Sequence, residues 1–222
     1  MALAMFDLDN TLLAGDSDYL WGQHLVELGV VDAAAYAAAN QRFYQDYLDG
    51  TLDIHAFLEF SLQPLATHEP DLLHAWRAQF IEDKIHPLVL PAARELIAEH
   101  RRRGDTLLII TATNRFITQP IADLLGIEHL LATEPEFLGG RYTGRAVGTP
   151  TFREGKVAAL EEWLAEHAMD LAGSWFYSDS HNDLPLLERV DNPVAVDPDE
   201  ALRRHAERHG WPVISLRQRS RG

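Results

Sequence analysis

The chain of 222 residues contains no cysteine, which excludes disulfides, thiolate metal sites and a cysteine nucleophile and is compatible with a reducing compartment. No apolar run approaches the length of a membrane span, and the first residues lack the basic stretch and following apolar run of a secretory signal. A cytoplasmic protein with no membrane association is therefore the expectation. Positive charge is scarce: 19 lysines and arginines against 34 acidic residues give a formal charge of −15. Such a balance opposes non-specific attraction to nucleic acid or to an anionic membrane surface. An anionic ligand must then be captured locally, by a cation or by backbone N–H groups. Internal repeats, low-complexity segments and evident flexible linkers are missing as well.

What is present is a chain 46% hydrophobic and 24% charged, ordinary for one large globular domain or one domain carrying an insertion. Short apolar runs read as strands: LAMFDL (Leu3 to Leu8), TLLII (Thr106 to Ile110), SWFYS (Ser174 to Ser178) and NPVAV (Asn192 to Val196). Helical stretches lie between them. PAARELIAEHRRRG has Pro91 near its start and Gly104 past its end, and FREGKVAALEEWLAEHAM and NDLPLLERV follow. Strands alternating with helices imply an α/β fold, a mainly parallel Rossmann-like sheet covered on both faces. EPEFLGGRYTGRAV (Glu134 to Val147) reads as a hairpin turning at Gly139 and Gly140.

One stretch breaks the alternation. Residues 17–86 show helical periodicity and no strand signal, with large apolar residues three or four apart. The organisation expected is therefore a core of residues 1–16 and 87–222 and an inserted α-helical cap at 17–86.

Ligands of open α/β sheets bind at the carboxyl ends of the strands. Asp7 and Asp9 stand at one such end, Thr111 follows a second strand and Asp179 a third. Two ionised carboxylates about 4 Å apart repel by roughly 4 kcal/mol at an effective dielectric near 20, so such a cluster requires a proton or a cation. Hard oxygen ligands without cysteine or a histidine pair suggest Mg2+.

DLDNTL resembles the D-x-D-x-[TV] signature of the haloacid dehalogenase-like (HAD) phosphohydrolases, and their other signatures recur in order. Thr111 in LLIITATN resembles their hydroxyl residue, Lys156 in FREGKV their lysine, and Asp179 and Asp183 in YSDSHNDLPLL their acidic pair. The insertion resembles the helical cap of the phosphoserine phosphatase branch. Ser178 departs from that branch, which usually has glycine before the aspartate. The resemblance implies a phosphomonoesterase in which Asp7 is the nucleophile, forming an acyl phosphate, and Asp9 the general acid and base. It further implies that Thr111 and Lys156 bind the phosphoryl oxygens and that Mg2+ is held by Asp7, Asp179 and the Asp9 carbonyl, with Asp183 supporting. FDLDNTLL, YQDYL and IITATNRF are similar to a bacterial offshoot whose members hydrolyse L-histidinol phosphate, a small soluble substrate. A phosphoserine phosphatase or a phosphatase for another small monoester is the alternative, and a phosphotransferase on the same machinery a further one. A receiver-like phospho-aspartate signalling module shares the acidic cluster, the hydroxyl and the lysine, but needs neither an insertion nor Asp9.

Other residues carry blander expectations. Asp16 and Asp18 either cap the first inserted helix or face the substrate, where they suit a cationic group. Thr113 and Asn114 read as caps or loop-shaping residues, and His181 as a loop residue. Trp21, Phe43, Tyr44, Tyr47 and Trp76 are expected to form the cap's own core, with stacking of one of them on a ligand as the alternative. Gly210 in ERHGW reads as a helix C-cap rather than part of a histidine-phosphatase motif. The terminal RQRSRG reads as a solvated tail.

Overall fold

In a computed structural model that describes residues 2–217, the strands form one seven-stranded sheet in the order β4-β3-β2-β1-β5-β6-β7. They are β1 (Leu3–Phe6), β2 (Thr106–Asn114), β3 (His129–Leu138), β4 (Arg141–Val147), β5 (Trp175–Ser178), β6 (Asn192–Val196) and β7 (Val213–Ile214). All neighbours pair in parallel except β3 and β4. The expected hairpin is that antiparallel pair, and Gly139 and Gly140 both take positive φ at its turn, as a tight hairpin requires. β7 is too short, at two residues, to read as a strand, and the first half of β3 extends the expected hairpin.

Side-chain alternation along the strands divides the core in two. Ala4 and Phe6 on β1, with Leu107 and Ile109 on β2, face one layer; Leu3 and Met5, with Leu108 and Ile110, face the other. Burial on both faces explains why these strands read as unbroken apolar runs. Helices α5 (Pro91–Arg103) and α6 (Arg115–Leu125) cover the first face. The second is covered by α7 (Glu154–His167), the short α8 (Leu184–Leu187) and α9 (Glu200–His209). The stretch NDLPLLERV forms less helix than its pattern suggests, because a 3-10 turn at His181–Asp183 takes its first residues. Gly104 and Gly210 end α5 and α9 in left-handed conformation, as C-cap glycines do.

Between β1 and β2 the chain forms α1 (Ser17–Glu27), α2 (Ala33–Leu48), α3 (Ile54–Thr67) and α4 (Pro70–Phe80), closed by a π-helical turn at Ile81–Ile85. Asp16, Asp32 and Asp53 cap the first three through their carboxylates. The two chain crossings at the base are stitched together: Ala14 N–H donates to the Leu88 carbonyl at 2.8 Å, and Leu90 N–H to that of Leu12 at 3.2 Å. Trp21 is not confined to the inserted helices; its ring meets Phe80 at 5.3 Å and Phe116 of α6 at 5.8 Å, so its side chain joins the insertion to the sheet layer. Trp76 meets His68 within the insertion, at 4.9 Å. Of RQRSRG only Arg217 is described, donating to the Asn10 carbonyl at 3.1 Å; the rest lies outside the described residues.

Gly155 opens α7 against the preceding loop so closely that a Cβ there would lie 1.9 Å from the Pro150 carbonyl oxygen. Backbone cannot yield as a flexible side chain does. Gly155→Ala is expected to destabilise the protein by about 3 kcal/mol or more, read as a lowered urea midpoint with an unchanged slope. A midpoint within error of wild type would show that the loop can move aside.

Candidate active site

β1 ends at Phe6, paired with Ile109, whereas β2 runs on to Asn114. That overshoot carries Thr111 and Thr113 past the end of β1, and both line the same cavity. Asp7 leaves β1 at the same edge, and Asp179 and Asp183 follow the end of β5. Asp7, Asp9, Thr111, Thr113, Lys156 and Asp183 line a single cavity, roofed by residues of α1, α2 and α3. Asp179 lies beside it.

Lys156, in the first turn of α7, is 3% exposed. Its ammonium lies 2.7 Å from Asp7 Oδ1 and 2.8 Å from Asp183. Burial alone would lower its pKa, but Asp183 and Asp7 outweigh burial and raise it, keeping the charge. Thr111 is buried, and its hydroxyl oxygen accepts the Thr113 N–H at 3.2 Å, which leaves its own proton free to donate. Asp183 accepts also from the Ser178 hydroxyl, at 2.7 Å. The serine that departs from the family's usual glycine therefore turns toward the acidic pair.

The acids exceed their cation. Burial pushes the Asp7 carboxyl up to about 7, with Lys156 opposing and Asp183 and Asp9 adding to the rise. Asp9 is also pushed up to about 7, by burial first and the Asp16 charge second. Asp179 rises well above the usual carboxylate range through burial, then repulsion from Asp7 and Asp183. Its carboxylate accepts from the Thr11 hydroxyl at 3.1 Å, and the same hydroxyl stands 3.3 Å from Asp7.

Two hydroxyls were not singled out from the sequence. Thr11 bridges Asp7 and Asp179, and the threonine of D-x-D-x-T was the available signal. Thr113, read as a cap or loop-shaping residue, instead donates to Asp9 Oδ2 at 2.8 Å, while the Ser17 N–H holds Asp9 Oδ1 at 2.6 Å. Nothing in the sequence marked it, because the apolar run of β2 stops at Ile110 and the register shifts beyond it. Asn114 does cap α6, accepting from Ile117 N–H at 3.4 Å. His181 pairs with Asp199 at 2.7 Å, outside the cavity lining.

Asp16 both caps α1, accepting the Tyr19 N–H at 2.9 Å, and lines the cavity. Asp18 lines it too. Phe43 packs inside the insertion as expected, on Phe57 at 5.5 Å and Phe60 at 5.3 Å, and it borders the same cavity together with Tyr44 and Tyr47, because α2 lies across it.

The sequence matches the haloacid dehalogenase-like hydrolase family over residues 4–188. The chain belongs to that family. A relative from Neisseria meningitidis serogroup C named histidinol-phosphatase is 46% identical, over 97% of this chain and 99% of its own. A crystal structure of a Bordetella pertussis protein of unknown function superposes with a TM-score of 0.91 at 45% identity, covering 97% of this chain and 98% of that one. A phospho-aspartyl intermediate analogue of phosphoserine phosphatase shares the fold at TM-score 0.72 and 16% identity, covering 98% and 94%. Within the haloacid dehalogenase-like family the protein is a phosphoric monoester hydrolase. No helix among the described residues is long and apolar enough to cross a membrane.

Removing the Lys156 charge leaves Asp7 and Asp183 buried without their common counter-ion. Lys156→Met should therefore cost about 3–5 kcal/mol of folding stability, measured by urea unfolding without any activity assay. A variant as stable as wild type would mean that water already screens these carboxylates.

Proposed function

We propose that this hydrolase is a Mg2+-dependent phosphomonoesterase that works through an aspartyl phosphate on Asp7, and that its substrate is L-histidinol phosphate. The observation that carries the chemistry is the shared cavity in which Asp7, Asp9, Thr111 and Lys156 converge. Support for the substrate comes from the relative named histidinol-phosphatase, 46% identical over nearly the full length of both chains. Phosphoserine would bring a carboxylate, and Lys156 is the sole lysine or arginine lining the cavity among the described residues, already engaged by Asp7 and Asp183.

The donor set fits a hard divalent ion. Asp7 and Asp179 are two carboxylates linked by one hydroxyl, with only Lys156 to neutralise the group, and that lysine faces Asp7 and Asp183. No cluster of three His, Asp or Glu side chains suited to a metal occurs among the described residues. Mg2+ does not need one, since it is commonly bound by one or two carboxylates plus water and substrate phosphate. Asp7, Asp179 and the Asp9 carbonyl would hold the ion, which when bound would offset phosphoryl charge and favour the ionised form of Asp7.

The chain's own groups then account for the rest. An Asp7 oxygen attacks phosphorus as the bond from phosphorus to the ester oxygen breaks, while Asp9, placed by Thr113 and Ser17, gives its proton to the leaving alkoxide. In the second step Asp9 takes a proton from water, which attacks the acyl phosphate and returns Asp7 as a carboxylate. Thr111 and the Lys156 ammonium face the phosphoryl oxygens throughout, so the donors are fixed before charge shifts between them. Residues 17–86 act as a lid that keeps bulk water from the acyl phosphate.

Asp7→Asn should retain the fold and show no measurable phosphate release, and acid quenching should trap phosphate on wild type only. Asp9→Asn should lose on the order of 10²–10⁴ in kcat. Chelation should abolish turnover of L-histidinol phosphate and added Mg2+ restore it. Near-normal phosphate release from purified Asp7→Asn would remove the nucleophile assignment.

A further inference from the structure

Asp18 sits in the first turn of α1, is 9% exposed and lines the cavity on the side of the inserted helices. It differs from every other acid there. Asp7 and Asp183 have Lys156, Asp9 has Ser17 and Thr113, Asp179 has Thr11, and Asp16 has the Tyr19 N–H. The Asp18 carboxylate accepts no hydrogen bond from any described residue; burial raises its pKa well above the ordinary range, with Asp16 and Asp9 adding repulsion. Asn40, an amide of the same lining, donates to the Tyr19 carbonyl at 3.0 Å.

A carboxylate buried among like charges and left without a donor is costly, and the favourable field of a helix N-terminus offsets only a small part of that cost. Among the described residues no lysine or arginine besides Lys156 lines the cavity, so the complement that Asp18 lacks there is a cation. The surrounding surface agrees, because the aromatic side chains of Tyr44, Tyr47 and Phe57 line the same space and aromatic rings attract cations. We infer that Asp18 is the residue that selects the leaving alcohol, receiving a positively charged nitrogen carried by it. The inference rests on the phosphomonoesterase reading and adds a requirement to it: esters of basic amino alcohols are favoured, and esters whose alcohol carries a carboxylate are rejected by Asp18 together with Asp16.

The test compares L-histidinol phosphate with 3-phenylpropyl phosphate, an ester of similar bulk without a basic nitrogen, in wild type and Asp18→Asn, with circular dichroism to show that the variant is folded. The ratio of kcat/KM for the basic ester to that for the neutral ester should fall about tenfold or more in Asp18→Asn, as expected for loss of a charge-assisted hydrogen bond. An unchanged ratio, with both esters still hydrolysed, overturns the inference and leaves the phosphatase reading standing. If neither ester is hydrolysed by wild type, the substrate reading fails, and calorimetric titration of the free alcohol L-histidinol still decides the role of Asp18. Binding weakened about tenfold in the variant supports it, and equal affinity overturns it.

Discussion

One buried ammonium organises this molecule. Lys156 is one of only two lysines in the chain, and it lies within hydrogen-bonding distance of acids that the sequence separates by 149 and 27 residues. Asp7 comes from β1 and Asp183 from the turn after β5, so the ion pair ties α7 to two parallel strands at the edge where their carbonyl ends converge. Burial makes each charge costly alone and each partner correspondingly important. The close approach of Gly155 to Pro150 matters for the same reason, because it brings the first turn of α7 to the sheet edge.

The inserted helices are joined to this centre by polar contacts as well as by apolar packing. Arg153, at the entrance to α7, donates to the Gly50 carbonyl in the loop between α2 and α3 and to Asn182 Oδ1 at 3.0 Å. Asn182 in turn donates to the Tyr47 carbonyl at 3.2 Å. These bonds run from loops that flank Lys156 and Asp183 to the segment bearing Tyr44 and Tyr47. Arg153 keeps a positive φ of 51°, unusual for a side chain with a Cβ, at the point where it meets the insertion. Closure of the cavity and placement of the lysine thus share one short stretch of chain.

Much of this was legible beforehand for physical reasons. Strands buried on both faces appear as apolar runs, and acids that follow them mark the carboxyl edge, so Asp7, Asp9, Thr111 and Asp179 could be placed by reading alone. Lys156 and Asp183 were legible through family resemblance rather than through charge, since a lysine in an amphipathic helix ordinarily faces solvent. Thr113 was not legible, because a hydroxyl near a helix start looks like a cap; what matters is that β2 outruns β1 and lifts it beside Asp9. The roles of Phe43, Tyr44 and Tyr47 depend on how α2 crosses the cavity. Helical periodicity reports that a face is apolar, not whether protein or ligand covers it.

The way the acids are held bears on what the site can bind. Thr11, Thr113 and Ser178 supply neutral donors to Asp7, Asp179, Asp9 and Asp183. A hydroxyl fixes an oxygen in place while cancelling little of its charge, whereas an arginine would fix it and neutralise it. Replacing these donors by guanidinium groups would give a more stable cluster with no residual field. With hydroxyls the negative excess survives in an ordered arrangement, and it has to be met by what enters the cavity. At the sheet edge the partner must tolerate Lys156 and reward Asp7 and Asp179. On the side of α1 no lysine or arginine among the described residues lines the cavity, and Asp16 and Asp18 share that lining with aromatic side chains. Under the proposed function these two ends ask different things of one ligand: a phosphoryl group would enter the acidic edge together with the divalent ion that Asp7 and Asp179 would hold, while Asp18, beneath the helices, would face a basic group.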